Sequence, residues 1–187
     1  LAHMLTRAEG TSQGETLLGA RLADDMFPFE QQVRIACNQV RIALNRVASG
    51  TYPLAEEPLE SFADAHLLVA QVRRELAAST GWLDDQTQVE FDLPNGMGFA
   101  MTAGEYVRDW TLPQFQFHVA MAYAILRHRG LPLGKADYVG YMMQHLKAPA
   151  KNRYSTGPSQ KGVPQQAKLA LDQGAARRPF AGIADGH

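Results

Sequence analysis

The segment from Pro113 to Gly130 constrains the fold more than any other part of the sequence. A proline suits the first turn of a helix, and a glycine after Arg129 is typical of a helix end. Apolar side chains recur around most of the circumference, at Phe115, Phe117, Val119, Met121, Tyr123, Ile125 and Leu126. A helix that is apolar on nearly every face is buried in a larger assembly of helices. We therefore predict a central helix packed among others.

Two earlier segments show the apolar spacing of three and four residues that marks an amphipathic helix. The first covers about residues 29–49, with Pro28 at its start. The second covers about residues 61–79 and opens with Ser61 and Asp64, which are spaced as in a capping box. The apolar stripes comprise Phe29, Val33, Ala36, Cys37, Val40, Leu44 and Val47 in the first helix, and Phe62, Ala65, Val69, Val72 and Leu76 in the second.

Residues 87–101 change to the period of two that is typical of a β-strand. Val89, Phe91 and Leu93 alternate with polar residues, and the turn-forming sequence at 94–96 follows them. An isolated hairpin is marginally stable in water. We therefore expect its apolar face to lie on the bundle.

Shorter helices complete the pattern. Thr102 and Glu105 form a second capping-box sequence, which predicts a helix to about Trp110, and residues 135–147 predict a final helix. Residues 1–10 look like the end of a first helix that is truncated upstream. The predicted fold class is all-α, a four-helix up-down bundle with a small β-hairpin inserted before the last two long helices.

The apolar stripes end near Lys147, which predicts a bundle domain over residues 1–147 and a separate tail over 148–187. The tail holds six lysines and arginines against two aspartates, so it is basic, whereas the rest of the chain is net acidic. Its proline- and glycine-rich composition shows no sustained apolar stripe. We expect the tail to be disordered.

Composition excludes several classes of function. A net charge of −1 gives no electrostatic basis for binding nucleic acid or a membrane surface. The sequence lacks the glycine loops of nucleotide-binding proteins and the motifs of esterases and zinc proteases. One cysteine, Cys37, rules out an internal disulfide and fits a reducing cytoplasm. Its place on an apolar stripe indicates a small buried side chain rather than a catalytic thiol.

Two stretches resemble a known family, FPFEQQVRIA from Phe27 onwards and LPQFQFH…AYAILRHRGLPLGKADYVG between Leu112 and Gly140. With the position of the hairpin, they are similar to an uncharacterised bacterial family within the DinB/YfiT-like helical-bundle superfamily. The resemblance implies this bundle over about residues 1–147. It also implies a homodimer, since similar proteins often form one.

Many members of that superfamily bind a metal through three histidines, two of them four residues apart. His118 matches the first of this pair, but Ala122 stands at the second position. The third histidine is expected within residues 31–35, which contain none. The resemblance therefore implies that the metal-binding triad has been largely lost.

His118 remains the main candidate for a functional side chain. A buried ring N–H without a partner costs about 1–3 kcal/mol, so we expect a hydrogen bond to Gln32 or Glu30 on the neighbouring helix. Tyr123 and Trp110 could line a small apolar pocket between helices, although core packing also accounts for them. These five residues are the candidates for a ligand pocket.

Two hypotheses for the function follow. The first is a cytoplasmic helical bundle that is non-catalytic or binds a small molecule and has no cofactor. The alternative is a metal- or thiol-dependent enzyme of the DinB/YfiT-like kind that uses His118 with a divalent metal such as zinc or nickel. The loss of the histidine pair favours the first hypothesis.

Overall fold

In a computed structural model of the chain, the described residues are 1–145. The helices are α1 (Ala2–Glu9), α2 (Phe29–Val47), α3 (Phe62–Ala78), α4 (Ala103–Glu105), α5 (Leu112–His128) and α6 (Lys135–Tyr138), and the strands are β1 (Gln88–Asp92) and β2 (Gly98–Thr102). A π-helix, Tyr106–Thr111, joins α4 to α5, and two 3₁₀ segments cover Gly14–Leu17 and Gly140–His145. The expected tail, residues 148–187, lies outside the described residues.

The predicted all-α bundle with one small hairpin is confirmed. α2 packs against both α3 and α5, and α1 packs against α3. A buried ion pair also joins α2 to α3, because Arg41 Nε and Nη2 lie 2.8 and 2.9 Å from the two carboxylate oxygens of Glu75. The main core comprises Met4, Leu5, Phe29, Val33, Ala36, Phe62, Val69, Val119, Ala122, Ile125 and Leu126, among others. Within residues 1–145, no helix is long and apolar enough to span a membrane.

Both predicted capping boxes are present. The Asp64 N–H donates to Ser61 Oγ over 3.1 Å, and the Ser61 N–H donates to Asp64 Oδ2 over 3.0 Å. The same reciprocal pair links Thr102 to Glu105, at 3.3 and 2.9 Å. Each box satisfies N–H groups that the first turn of a helix leaves without partners. These local signals therefore set the starts of α3 and α4.

The hairpin packs on the bundle through an aromatic cluster, as expected from its apolar face. β1 and β2 pair antiparallel, with Phe91 opposite Phe99 and their rings 5.2 Å apart. Phe91 also meets Tyr106 of the π-helix edge to face at 5.4 Å, and Trp110 at 5.0 Å. Arg46 of α2 lies 4.4 Å above the Phe91 ring. The cluster thus joins the hairpin to α2 and to the π-helix.

The later helices differ from the prediction in two respects. Pro113 lies in the first turn of α5, as predicted, but no break precedes it, because the chain continues from α4 through the π-helix into α5. The Leu112 N–H bonds to the carbonyl of Val107, five residues earlier, so the turn before the proline widens and the helix is not broken. The predicted helix over residues 135–147 ends at Tyr138 and gives way to a 3₁₀ segment that begins at Gly140.

The prediction that the central helix is enclosed on nearly every side is also wrong for the described part of the chain. Five α5 residues are buried: His118, Val119, Ala122, Ile125 and Leu126. Phe117 and Leu112 are 53% and 45% exposed. The apolar character of α5 therefore extends beyond the face that packs on α2.

Candidate functional site

The candidate site lies along the contact between α2 and α5. The two helices run antiparallel, since Gln32 near the start of α2 meets His118, whereas Arg46 near its end meets Tyr106, upstream of α5. Both contacts are side-chain hydrogen bonds of 2.8 Å. We call this contact, from Gln32–His118 to Arg46–Tyr106, the α2–α5 seam.

The Gln32–His118 pair forms the buried polar contact at one end of the seam. Gln32 Nε2 donates to the Phe27 carbonyl over 3.3 Å, which leaves Gln32 Oε1 to accept from His118 Nδ1–H over 2.8 Å. Burial lowers the pKa of His118 because the imidazolium is poorly solvated there. The pair is therefore neutral at pH 7, and His118 has the first of its two expected partners.

Glu30, the other expected partner, lies at a different contact. Its Oε2 accepts a hydrogen bond from the Leu59 N–H over 3.2 Å and lies 3.5 Å from Arg34 Nε. This carboxylate therefore ties α2 to the loop that precedes α3. The structure does not bring it to His118.

The two aromatic candidates are also separate from His118. Trp110 belongs to the hairpin cluster, 5.0 Å from the rings of both Phe91 and Phe99. Tyr123 packs edge to face on Tyr138 at 6.0 Å, which joins α5 to α6. Of the five candidates, only Gln32 and His118 come together.

Sequence reasoning missed a cavity in the middle of the seam, with a volume of about 230 Å³. Its walls come from α2, the end of α3, the π-helix and the first turn of α5, and they include Val40, Leu44, Val47, Leu76, Val107 and Phe115. In the sequence, all of these residues look like ordinary core positions. Their arrangement around a space depends on how three segments pack.

Thr111 also lines this cavity, through its apolar atoms. The residue is 7% exposed, and its Oγ1 is buried with no hydrogen-bond partner among residues 1–145. In this π-helix, the carbonyl of Val107, four residues before Thr111, accepts a hydrogen bond from the Leu112 N–H.

A second cavity, of about 310 Å³, shares the side chains of Val40, Leu76 and Phe115 with the first. Cys37 lines it and is 3% exposed, which confirms the prediction of a buried cysteine. Burial raises the pKa of the Cys37 thiol to about 12. The thiolate is the nucleophilic form of cysteine, so this side chain is unreactive near neutral pH.

Comparison with known proteins assigns the family. Residues 1–139 match the model of a family described as a domain of unknown function, DUF1993. The chain belongs to this family. No curated protein matches it.

The DUF1993 chain is also similar to a solved structure, the crystal structure of a DinB family member protein from Shewanella denitrificans. The two are 29% identical with a TM-score of 0.57, and the match covers 72% of this chain and 76% of that one. The resemblance to an uncharacterised DinB-like family is therefore confirmed.

The DUF1993 seam does not offer the donors of a three-histidine metal centre. Gln32, within the range where the superfamily resemblance implies a histidine, presents an amide oxygen to His118. Ala122, at the position four residues after His118, is fully buried and has no donor atom. Within residues 1–145, no three side chains of His, Cys, Asp or Glu lie close enough together to hold a metal ion. The residues present at this seam therefore do not fit such a centre.

Proposed function

We propose that this DUF1993 chain is a small-molecule-binding bundle, and that its ligand lies in the α2–α5 seam without help from a metal or a thiol. The observation that carries the proposal is the cavity of about 230 Å³, whose walls are apolar. Ligand sites in helical bundles lie between facing helices and are mostly apolar, with a few placed polar groups.

The alternative, a metal- or thiol-dependent enzyme that uses His118, has less support. A catalytic zinc site takes three protein ligands, whereas His118 stands alone and already uses Nδ1 to bond Gln32. A thiol mechanism needs a thiolate, and the buried Cys37 holds its proton. Both observations favour binding without covalent or metal chemistry.

Titration with p-xylene tests the proposed pocket, because this molecule can bind only through apolar contact. Isothermal titration calorimetry on the full chain should show saturable binding. Ala43 lines the cavity, so Ala43→Leu should fill part of it and weaken or abolish the binding. Ala70→Leu makes the same change at an exposed position of α3 and should leave binding intact. An affinity that Ala43→Leu does not change, or no binding to the wild type, would contradict the proposal.

Metal analysis tests the other half of the proposal. Protein purified without a polyhistidine tag should contain no stoichiometric metal and should bind neither nickel nor zinc in titration. The double variant Gln32→His, Ala122→His restores the superfamily's histidine spacing around His118 and serves as the positive control. A stoichiometric metal in the wild type that His118→Ala removes would favour the enzyme alternative.

We further propose that the chain forms a homodimer, as similar proteins often do. Large exposed apolar side chains, among them Leu67 and Phe117, support an association of this kind. Sedimentation of the full chain at tens of micromolar should give the mass of a dimer. A single monomeric species at that concentration would refute this proposal and leave the pocket proposal untouched.

A further inference from the structure

We infer that two copies of the chain meet through β2, so that their hairpins join into one four-stranded sheet. The inference rests on the proposed homodimer and adds the surface through which the two copies bind. It draws on the unpaired edge of β2, the charges on the two edges of the hairpin, and the apolar side chains of β2 that the bundle leaves partly uncovered.

The outer edge of β2 carries backbone groups without a backbone partner. Within residues 1–145, the sheet that contains β2 has only two strands. The Leu93 N–H donates to the carbonyl of Met97 opposite it, so the odd-numbered residues exchange the bonds of this ladder. The N–H and C=O groups of Gly98 and Ala100 therefore point away from β1. A row of such groups is a template for another strand.

The free edge is short and has definite ends. On one side the Gly96 N–H already bonds within the turn, and on the other the Thr102 N–H donates to Glu105 Oε2 over 2.9 Å. The groups of Gly98 and Ala100 remain. A second copy related by a two-fold axis can pair antiparallel with its Ala100 opposite Gly98. This register forms four backbone hydrogen bonds and uses all four free groups of each strand.

The same register brings apolar side chains together. Phe99 would lie opposite Phe99 of the second copy, and Met97 opposite Met101, in the pairs where facing side chains are closest. Met97 is 51% exposed, whereas Phe99 and Met101 are partly buried. Aromatic pairs and burial of apolar surface both stabilise association. The contact would therefore cover apolar surface that the single copy leaves open.

The position of the bundle leaves space for a second copy beside β2. The inward side chains of β1, Val89 and Phe91, are 5% and 8% exposed. Their partners on β2, Met101 and Phe99, are buried less completely. The bundle thus lies mainly beneath β1. In the joined sheet each copy would lie beneath its own β1, with the two β2 strands between them.

Charge favours a second copy on β2 and disfavours one on β1. Residues 98–102 carry no ionisable side chain, so this edge can meet itself without repulsion. β1 instead carries Glu90 and Asp92, both exposed. Pairing β1 with itself about its centre would set Glu90 opposite Glu90, and like charges directly opposite are destabilising. Charges on an edge strand are also a common protection against strand pairing.

A proline on each edge provides the first test. Ala100→Pro removes an N–H that the second copy would bond but keeps the bonds between β1 and β2, because this N–H points away from β1. It would remove two of the four bonds, so sedimentation of the full chain should show the dimer Kd raised about ten-fold or more. Gln88→Pro makes the same change on the outer edge of β1 and should leave the Kd unchanged. Circular dichroism checks that both variants fold.

A thiol pair provides a second test that needs no proline. Met97→Cys and Met101→Cys are prepared separately, mixed in equal amounts and mildly oxidised. The mixture should give a disulfide-linked pair of chains, because these positions would lie within disulfide distance across the interface. Gln88→Cys mixed with Asp92→Cys is the matched control on β1 and should give no linked product. The native Cys37 is 3% exposed and should not react.

The outcomes separate this inference from the proposed homodimer. A dimeric wild type that neither links through the thiol pair nor weakens with Ala100→Pro would overturn the β2 interface and leave the homodimer standing. A monomeric wild type at tens of micromolar would overturn both. Equal weakening by the two proline variants without a thiol link would also overturn the interface. If Ala100→Pro prevents folding, the thiol pair alone decides, by linking or failing to link.

Discussion

The two ends of the α2–α5 seam are held by different chemistry. At one end, Gln32 and His118 form a neutral pair, whereas at the other Arg46 donates to the Tyr106 hydroxyl over 2.8 Å and lies over the Phe91 ring. Protonation of His118 would occur at Nε2, so it would leave the Nδ1–H bond to Gln32 in place but would bury a charge, which lowers stability. An arginine keeps its charge at any ordinary pH. The comparison teaches that the stability contributed by one end of a helix pair can depend on pH while that of the other end does not.

Removing the Tyr106 ring, at the aromatic end of the seam, should cause the largest loss in the free energy of unfolding. The side chain is fully buried and contacts both Phe91 and Arg46, so Tyr106→Ala should lower the free energy of unfolding by about 3–5 kcal/mol. Urea denaturation followed by circular dichroism measures this loss. Tyr106→Phe keeps the ring and loses only the bond to Arg46, so its cost should be clearly smaller. Equal losses from the two variants would mean that the hydroxyl, and not the ring, secures this end.

Substitution of His118, at the neutral end of the seam, should cause a smaller loss in the free energy of unfolding. His118→Ala leaves a space and an unpaired Gln32 amide oxygen, so we expect a loss of about 1–3 kcal/mol. His118→Gln can preserve one hydrogen bond and should lose less. The same urea experiment compares them. Negligible effects from both variants would contradict a structural role for the pair.

The pH dependence of stability should sharpen the contrast between the ends. Burial lowers the pKa of His118 in the folded state, so the unfolded chain takes up this proton first as the pH falls. The free energy of unfolding should therefore decrease as the pH drops below the ordinary value of 6.5 and towards the folded-state pKa. His118→Gln should remove this component of the slope, whereas Tyr106→Phe should retain it. Parallel profiles for wild type and His118→Gln would show that other groups cause the dependence.

Cys37 lies between the two ends of the seam on α2. The rate at which its thiol is modified should show whether the seam is intact, without any substitution in the chain. Burial raises its thiol pKa to about 12, so iodoacetamide at pH 8 should modify the folded chain very slowly and the urea-unfolded chain readily. Mass spectrometry follows the modification. Equal rates in the two states would place the thiol in contact with solvent.

The sequence predicted those features that depend on near neighbours in the chain. The capping pairs that start α3 and α4 were visible because their partners are three residues apart. A buried imidazole needs a hydrogen-bond partner, and for His118 the sequence reduced the candidates to two side chains of α2, Gln32 and Glu30. The cavity in the α2–α5 seam escaped prediction because its walls come from three segments that are distant in sequence. Trp110 lies in the hairpin cluster, a position that depends on contacts between segments distant in sequence.

The π-helix Tyr106–Thr111 sets the rotation of α5 about the helix axis relative to α4, within one continuous helical segment. A single added residue turns everything beyond it by about 100° around the helix axis. That offset lets Tyr106 contact both the hairpin and Arg46 of α2, while His118 in the same continuous helix contacts Gln32. Deleting one residue from this segment would change no other side chain, but it would rotate α5 relative to α4 and turn one of them away from its contacts. The number of residues between the Thr102 cap and His118 is thus as much a structural constraint as their identity.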